Sequence, residues 1–96
     1  MIRKFAAIGV ISLFALAVEA APLERGAIYK DDWGEAKAQQ IANELSQLVR
    51  SRGWKCDTVS SVQLWVFSPG FDLVCNGFRY SYEIEDRGGK WTVKLK

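Results

Sequence analysis

The chain reads as a small α+β domain, with one amphipathic helix packed on one face of a small antiparallel sheet of three to five strands and tied by one disulfide. Three observations carry this reading. Helical periodicity occurs once, between about residues 33 and 52. The residues that follow alternate with a period of two and are punctuated by turn signals. Two cysteines, and only two, occur in a chain that opens with an export-type leader.

The leader, residues 1–20, has the parts of a cleaved signal peptide. Arg3 and Lys4 start it, Phe5 to Val18 carries no charge, and Val18-Glu19-Ala20 offers small residues where a signal peptidase inspects them. The uncharged run falls short of the roughly 20 residues a bilayer span needs. The expected mature chain therefore starts at Ala21, in the periplasm or outside the cell. It is one domain near the lower size limit for a self-sufficient core. In an oxidising compartment Cys56 and Cys75 are expected to form a structural bridge. A reactive pair would favour Cys-x-x-Cys spacing, which is absent.

Residues 21–31 hold Pro22 and Gly26, show no clear period and read as an extended lead-in to a single domain over 32–96. Helix signals follow. Asp31 or Asp32 is placed to cap, with Glu35 three residues beyond Asp32. Ala38, Ile41, Ala42, Leu45, Leu48 and Val49 share one face. Arg50 and Arg52 suit the negative end of the dipole, and Gly53 suits a left-handed close. The helix is expected from about Trp33 to Arg52.

Asn76-Gly77 is a strong two-residue hairpin signal. It predicts Cys75 opposite Phe78, Leu73 opposite Tyr80 and Phe71 opposite Tyr82. A turn at Asp86 to Gly89 predicts Glu85 opposite Lys90, Ile84 opposite Trp91, Tyr82 opposite Val93 and Tyr80 opposite Leu95. Both registers place Phe71, Leu73, Cys75, Phe78, Tyr80, Tyr82, Ile84, Trp91, Val93 and Leu95 on one face, with Tyr80, Tyr82 and Trp91 under the helix. The other face is charged and open to water, apart from Val74.

Residues 54–67 admit two paths. Val62 to Phe67 has strand composition and would pair with Phe71 to Cys75 across Ser68-Pro69-Gly70, with Trp54 to Val59 as an earlier strand turning at Ser60-Ser61. That spacing puts Cys56 and Cys75 about 9–10 Å apart, beyond the roughly 7 Å a disulfide bridges. Either Trp54 to Thr58 lies directly beside Phe71 to Cys75, which makes Ser61 to Gly70 a long loop presenting Trp65, Val66 and Phe67, or the segment is irregular and crosses the sheet end. A distorted strand at Val62 to Phe67 is the favoured path. It turns Val62, Leu64 and Val66 to the helix and points Trp65 and Phe67 outward with Val74; a slip of one residue buries the two aromatics instead.

The functional groups narrow the classes. The chain has no histidine, which removes the usual general base, the Ser-His and Cys-His pairs and the commonest zinc ligand. No glycine-rich phosphate loop precedes a helix. Without the leader, eleven basic and ten acidic side chains remain, so no nucleic-acid footprint forms and no basic amphipathic helix marks a membrane surface. Asp31, Asp32 and Glu35 lack calcium-loop spacing and read as helix-start residues. Glu83 and Glu85 share a strand face about 6.5–7 Å apart, within reach of a glycosidase carboxyl pair, but they read as a solvated face interleaved with Lys90 and Lys94. No catalytic residue, cofactor or metal is expected. Trp65, Phe67 and Val74 are the candidate contact residues for another exported protein or for a second copy, and a non-enzymatic binding or inhibitor module is the expected function. A structural or self-associating protein is the alternative, and a hydrolase using Glu83 and Glu85 comes third.

Overall fold

A computed structural model describes residues 21–96; the expected signal peptide lies outside the described residues. The elements run β1 (Leu23–Ile28), a 3-10 turn (Asp31–Trp33), α1 (Gly34–Ser51), β2 (Val59–Leu64), β3 (Gly70–Cys75), β4 (Tyr80–Arg87) and β5 (Lys90–Leu95). The five strands lie in chain order in one sheet, and α1 packs chiefly on β2 and β3. The α+β architecture and the Cys56–Cys75 bridge are as the sequence predicts.

The sheet is mixed rather than wholly antiparallel. The expected lead-in is an edge strand, with β1 parallel to β2 and α1 as the crossover a parallel pair requires. Its pairing shifts between Leu23↔Val59 and Ile28↔Ser61, so five steps along β1 match two along β2. Gly26, at φ 81°, lies within the shift. That irregularity removes the alternation by which a strand is recognised. Side chains hold β1 where the ladder cannot. Gln39 of α1 accepts the Leu23 N–H at 2.9 Å and donates to the Ala21 carbonyl at 3.1 Å.

Helix α1 buries Ala38, Ala42, Leu45 and Val49, the expected stripe. Its start differs. No side chain caps Trp33, and Asp32 instead pairs with Lys30 in solvent at 3.3 Å. Asp31 and Asp32 lie within the 3-10 turn that precedes the helix, so their carboxylates act on its dipole rather than as caps. The end is as expected. Gly53 takes φ 87°, its N–H reaches the Arg50 carbonyl at 2.9 Å, and the Trp54 N–H reaches Val49 at 3.2 Å. These bonds make a Schellman close that satisfies two terminal carbonyls.

Residues 54–58 are irregular and cross the sheet end, the second of the two predicted paths. The bridge holds Cys56 beside Cys75 with Cα atoms 5.2 Å apart. Tyr82 Oη donates to the Lys55 carbonyl at 2.7 Å, and Asn76 Oδ1 accepts the Asp57 and Thr58 N–H groups. Strand β2 then starts three residues earlier than expected. Ser60 is an extra residue between Val59↔Cys75 and Ser61↔Val74, so the alternation inverts there. Val59 and Val62, three apart, both reach the core. A reading with a strict period of two cannot place both.

Both hairpin registers differ from expectation by two residues. The β3–β4 loop holds four residues, pairing Cys75 with Tyr80, Leu73 with Tyr82 and Phe71 with Ile84. Asn76, Gly77 and Phe78 all take positive φ, and bonds to Thr58, Glu24 and Ser60 hold their backbone N–H groups. The β4–β5 turn is instead the two-residue one, Gly88-Gly89, pairing Arg87 with Lys90, Ile84 with Val93 and Tyr82 with Leu95. A slip of two preserves the face of every side chain, so the predicted core face survives except at Phe78, 56% exposed in the loop, and near the end of β5, where Leu95 is 42% exposed. Trp91, expected under the helix, is 37% exposed at the margin. The core is Ala42, Leu45 and Val49 against Val59, Val62, Leu73, Cys75, Tyr82 and Ile84.

Candidate functional site

The two most exposed large apolar side chains, Phe67 and Val66, stand at one end of the sheet, while Phe78 is exposed at the other. Strand β2 stops at Leu64, where the Trp65 N–H closes on the Gly70 carbonyl at 2.9 Å and residues 65–69 form a loop. Phe67 at its apex is 99% exposed and Val66 is 84% exposed. Because β2 begins early, Val66 falls beyond the strand and projects into solvent rather than onto the helix, as the favoured register had expected. The loop is braced. Pro69 accepts the Asp86 N–H at 3.0 Å, which sets the β4–β5 turn beside it.

The three predicted contact residues do not converge. Phe67 is the tip. Trp65 is partly buried and folds back over Gly70, where a Cβ would stand 2.7 Å from its Cζ3 and 2.8 Å from the Ile84 carbonyl oxygen. It borders a shallow outer-face cleft of about 270 Å³ with Glu83, Glu85, Arg87, Thr92 and Lys94. Val74 is half-buried between Ser61 and Ser81. It lies four residues along β3 from Gly70, about 13 Å at a strand's rise.

Of the outer-face carboxylates, Glu85 is ion-paired with Arg87 at 3.0 Å, and neither partner is enclosed. The expected cross-strand partner is lost because the register slip sets Thr92, not Lys90, opposite Glu85. Among the described residues no three carboxylates or sulfurs come together to hold a metal ion. Nor is any described helix long and apolar enough to cross a membrane.

On the helix side, Ile41, Glu44, Leu45 and Leu48 of α1 face Phe71 and Trp91 across an apolar groove of about 260 Å³. The two rings stack at 6.5 Å with 24° between their planes. The groove exists because α1 lies over β2 and β3 and leaves the β5 side of the sheet uncovered.

At the opposite end, Glu24 of β1 gathers three hydrogen bonds on a single oxygen. Its Oε2 accepts from Thr58 Oγ1 at 2.6 Å, Ser60 Oγ at 2.8 Å and the Gly77 N–H at 2.8 Å. The Thr58 hydroxyl does most to hold this carboxyl below its usual range, with Gly77 next; burial opposes them and Ser60 adds the least. The donors come from three segments, and nothing local in the sequence marks Glu24 as their acceptor.

No protein-family model matches the chain, and neither does any curated protein or solved structure. The fold and surface define a class: a disulfide-stapled α+β domain with a helix on a mixed five-stranded sheet, tied by polar bonds at one end and carrying its two most exposed large apolar side chains at the other.

Proposed function

We propose that this is an exported, non-enzymatic module that binds another protein through the 65–69 loop. One observation carries the reading: Phe67 and Val66 stand almost fully in water at the apex of a hairpin whose two strands are ordered and paired on both sides. Exposed aromatic groups on rigid supports lose little freedom on binding, which is how inhibitor loops and other contact anchors gain affinity. The disulfide supports an oxidising compartment, periplasmic or secreted. The reading assigns no role to cofactors, metal, nucleic acid or a bilayer.

The test is capture from the exported fraction by the immobilised domain and by its Val66→Ser/Phe67→Ser variant. Neither residue is in the core, so the two proteins should melt within about 0.5 kcal/mol of each other. Loss of a bound protein in the variant supports the proposal. Equal capture by both refutes it.

A further inference from the structure

We infer that the outer face of the sheet holds a second site, for a neutral saccharide, in the cleft where Trp65 meets β4 and β5. The inference goes beyond the contact role of the tip, in which Val66 and Phe67 act and this face does not.

The strands build the site as two neighbouring rows. Trp65 closes on Gly70 of β3, Gly70 pairs with Glu85, and Glu85 pairs with Thr92. In the next row on the same face, Asp72, Glu83 and Lys94 lie opposite one another. Gly70 has no side chain, and the Trp65 ring occupies the place one would take. The indole is thereby fixed at the rim of a cleft of about 270 Å³, whose other walls are Glu83, Glu85, Arg87, Thr92 and Lys94. That volume is just under the roughly 300–1,000 Å³ usual for small-molecule sites. A cleft of this size, open along the sheet, takes one ring of a longer chain.

Charge selects the ligand. Two carboxylates of the cleft face two cations. Arg87 Nε donates to Glu85 Oε1 at 3.0 Å, and Lys94 lies opposite Glu83. Beside them Asp72 meets Lys96 at 3.9 Å. The cleft therefore carries no net charge with which to attract an ion. It keeps hydrogen-bonding capacity of both kinds, because a carboxylate has several acceptor sites and a guanidinium several donors, and the Glu85–Arg87 bond uses one of each. Hydroxyl groups both donate and accept, so neighbouring hydroxyls of a sugar match this set. A pyranose ring also presents a face of C–H groups, which the negative face of an indole attracts. A peptide strand gains its affinity from an open sheet edge, and this cleft lies on the face instead. Glu83 and Glu85 are both partly exposed. Without the enclosure that sets a catalytic carboxyl pair apart, the site holds a sugar rather than cleaving one.

The experiment titrates the oxidised protein with cellotetraose, maltotetraose and chitotetraose, all neutral, and with tetragalacturonate as the charged control. Amide and indole N–H chemical shifts are the readout. The expected result is saturable shifts at the Trp65 indole and along β4 and β5 beside the cleft, with a dissociation constant of about 1 mM or below for at least one neutral chain. Arg87→Ala, at an exposed position, leaves the melt alone and weakens binding about tenfold, the loss of one hydrogen bond to a charged group. Trp65→Ala abolishes binding, and Phe67→Ser leaves it unchanged. The inference is overturned if no neutral chain gives saturable shifts, if the charged chain binds more tightly, or if either cleft variant binds as well as the parent. The capture test at Val66 and Phe67 is independent of these results, so the tip reading stands or falls separately.

Discussion

Replacing Glu24 by glutamine keeps the shape of the side chain and removes its charge. In the parent, Oε2 gathers the Thr58 and Ser60 hydroxyls and the Gly77 N–H, and so ties edge strand β1 to β2 and to the β3–β4 loop. Hydrogen bonds to a charged group contribute about 1.5–3 kcal/mol and neutral ones about 0.5–1.5. The lower ends give about 3 kcal/mol over three donors, and because the carboxylate is only half-buried, solvent screening reduces the loss to about 2 kcal/mol. In a domain of this size that is a fall of roughly 10 °C in Tm. The sign with pH follows from the lowered pKa. The stabilisation is complete above the unfolded-state value, about 4.3, and is lost as pH falls through the lower folded-state value. Urea melts of parent and Glu24→Gln should therefore differ by about 2 kcal/mol at pH 7 and converge as the solution is acidified below pH 4. A neutral-pH difference under about 0.5 kcal/mol, within the range of an ordinary surface change, would refute the reasoning. A gap that persists unchanged in acid would refute it equally.

Two further outcomes follow from the same geometry. Replacing Cys56 and Cys75 together by serine frees a chain that closes over a sequence separation of 19 residues; the expected loss is about 3 kcal/mol, read as a lower midpoint in denaturant. Gly70→Ala drives a methyl group into the Trp65 ring and the Ile84 carbonyl. It should cost about 1–3 kcal/mol and alter tryptophan emission, and an unchanged melt would show that the ring yields freely.

The parts of the fold legible in the sequence are those governed by local periodicity. The α1 stripe, the Gly53 close and the two-sided character of β3, β4 and β5 depend on spacing, and spacing is local. Turn length proved less legible. Asn76-Gly77 has the chemistry of a two-residue turn, but Asp57, Thr58, Ser60 and Glu24 hold the loop open from outside it. Strand β1 is hidden because its pairing is irregular and its support comes from Gln39, on another element. The Ser60 bulge misplaced β2 by three residues. The same displacement put Val66 on the helix side in the favoured path, although the alternative loop path exposed it with Phe67. A hydrophobic pair beyond a strand's true end looks, in sequence, like the continuation of that strand.

The covalent bond encloses the exposed loop: Cys56 precedes β2, Cys75 ends β3, and the 65–69 apex lies between them. A protease that nicks the chain at Phe67 therefore releases nothing. Both fragments stay joined through sulfur, and the nicked molecule keeps its mass apart from one added water until a reductant separates the halves.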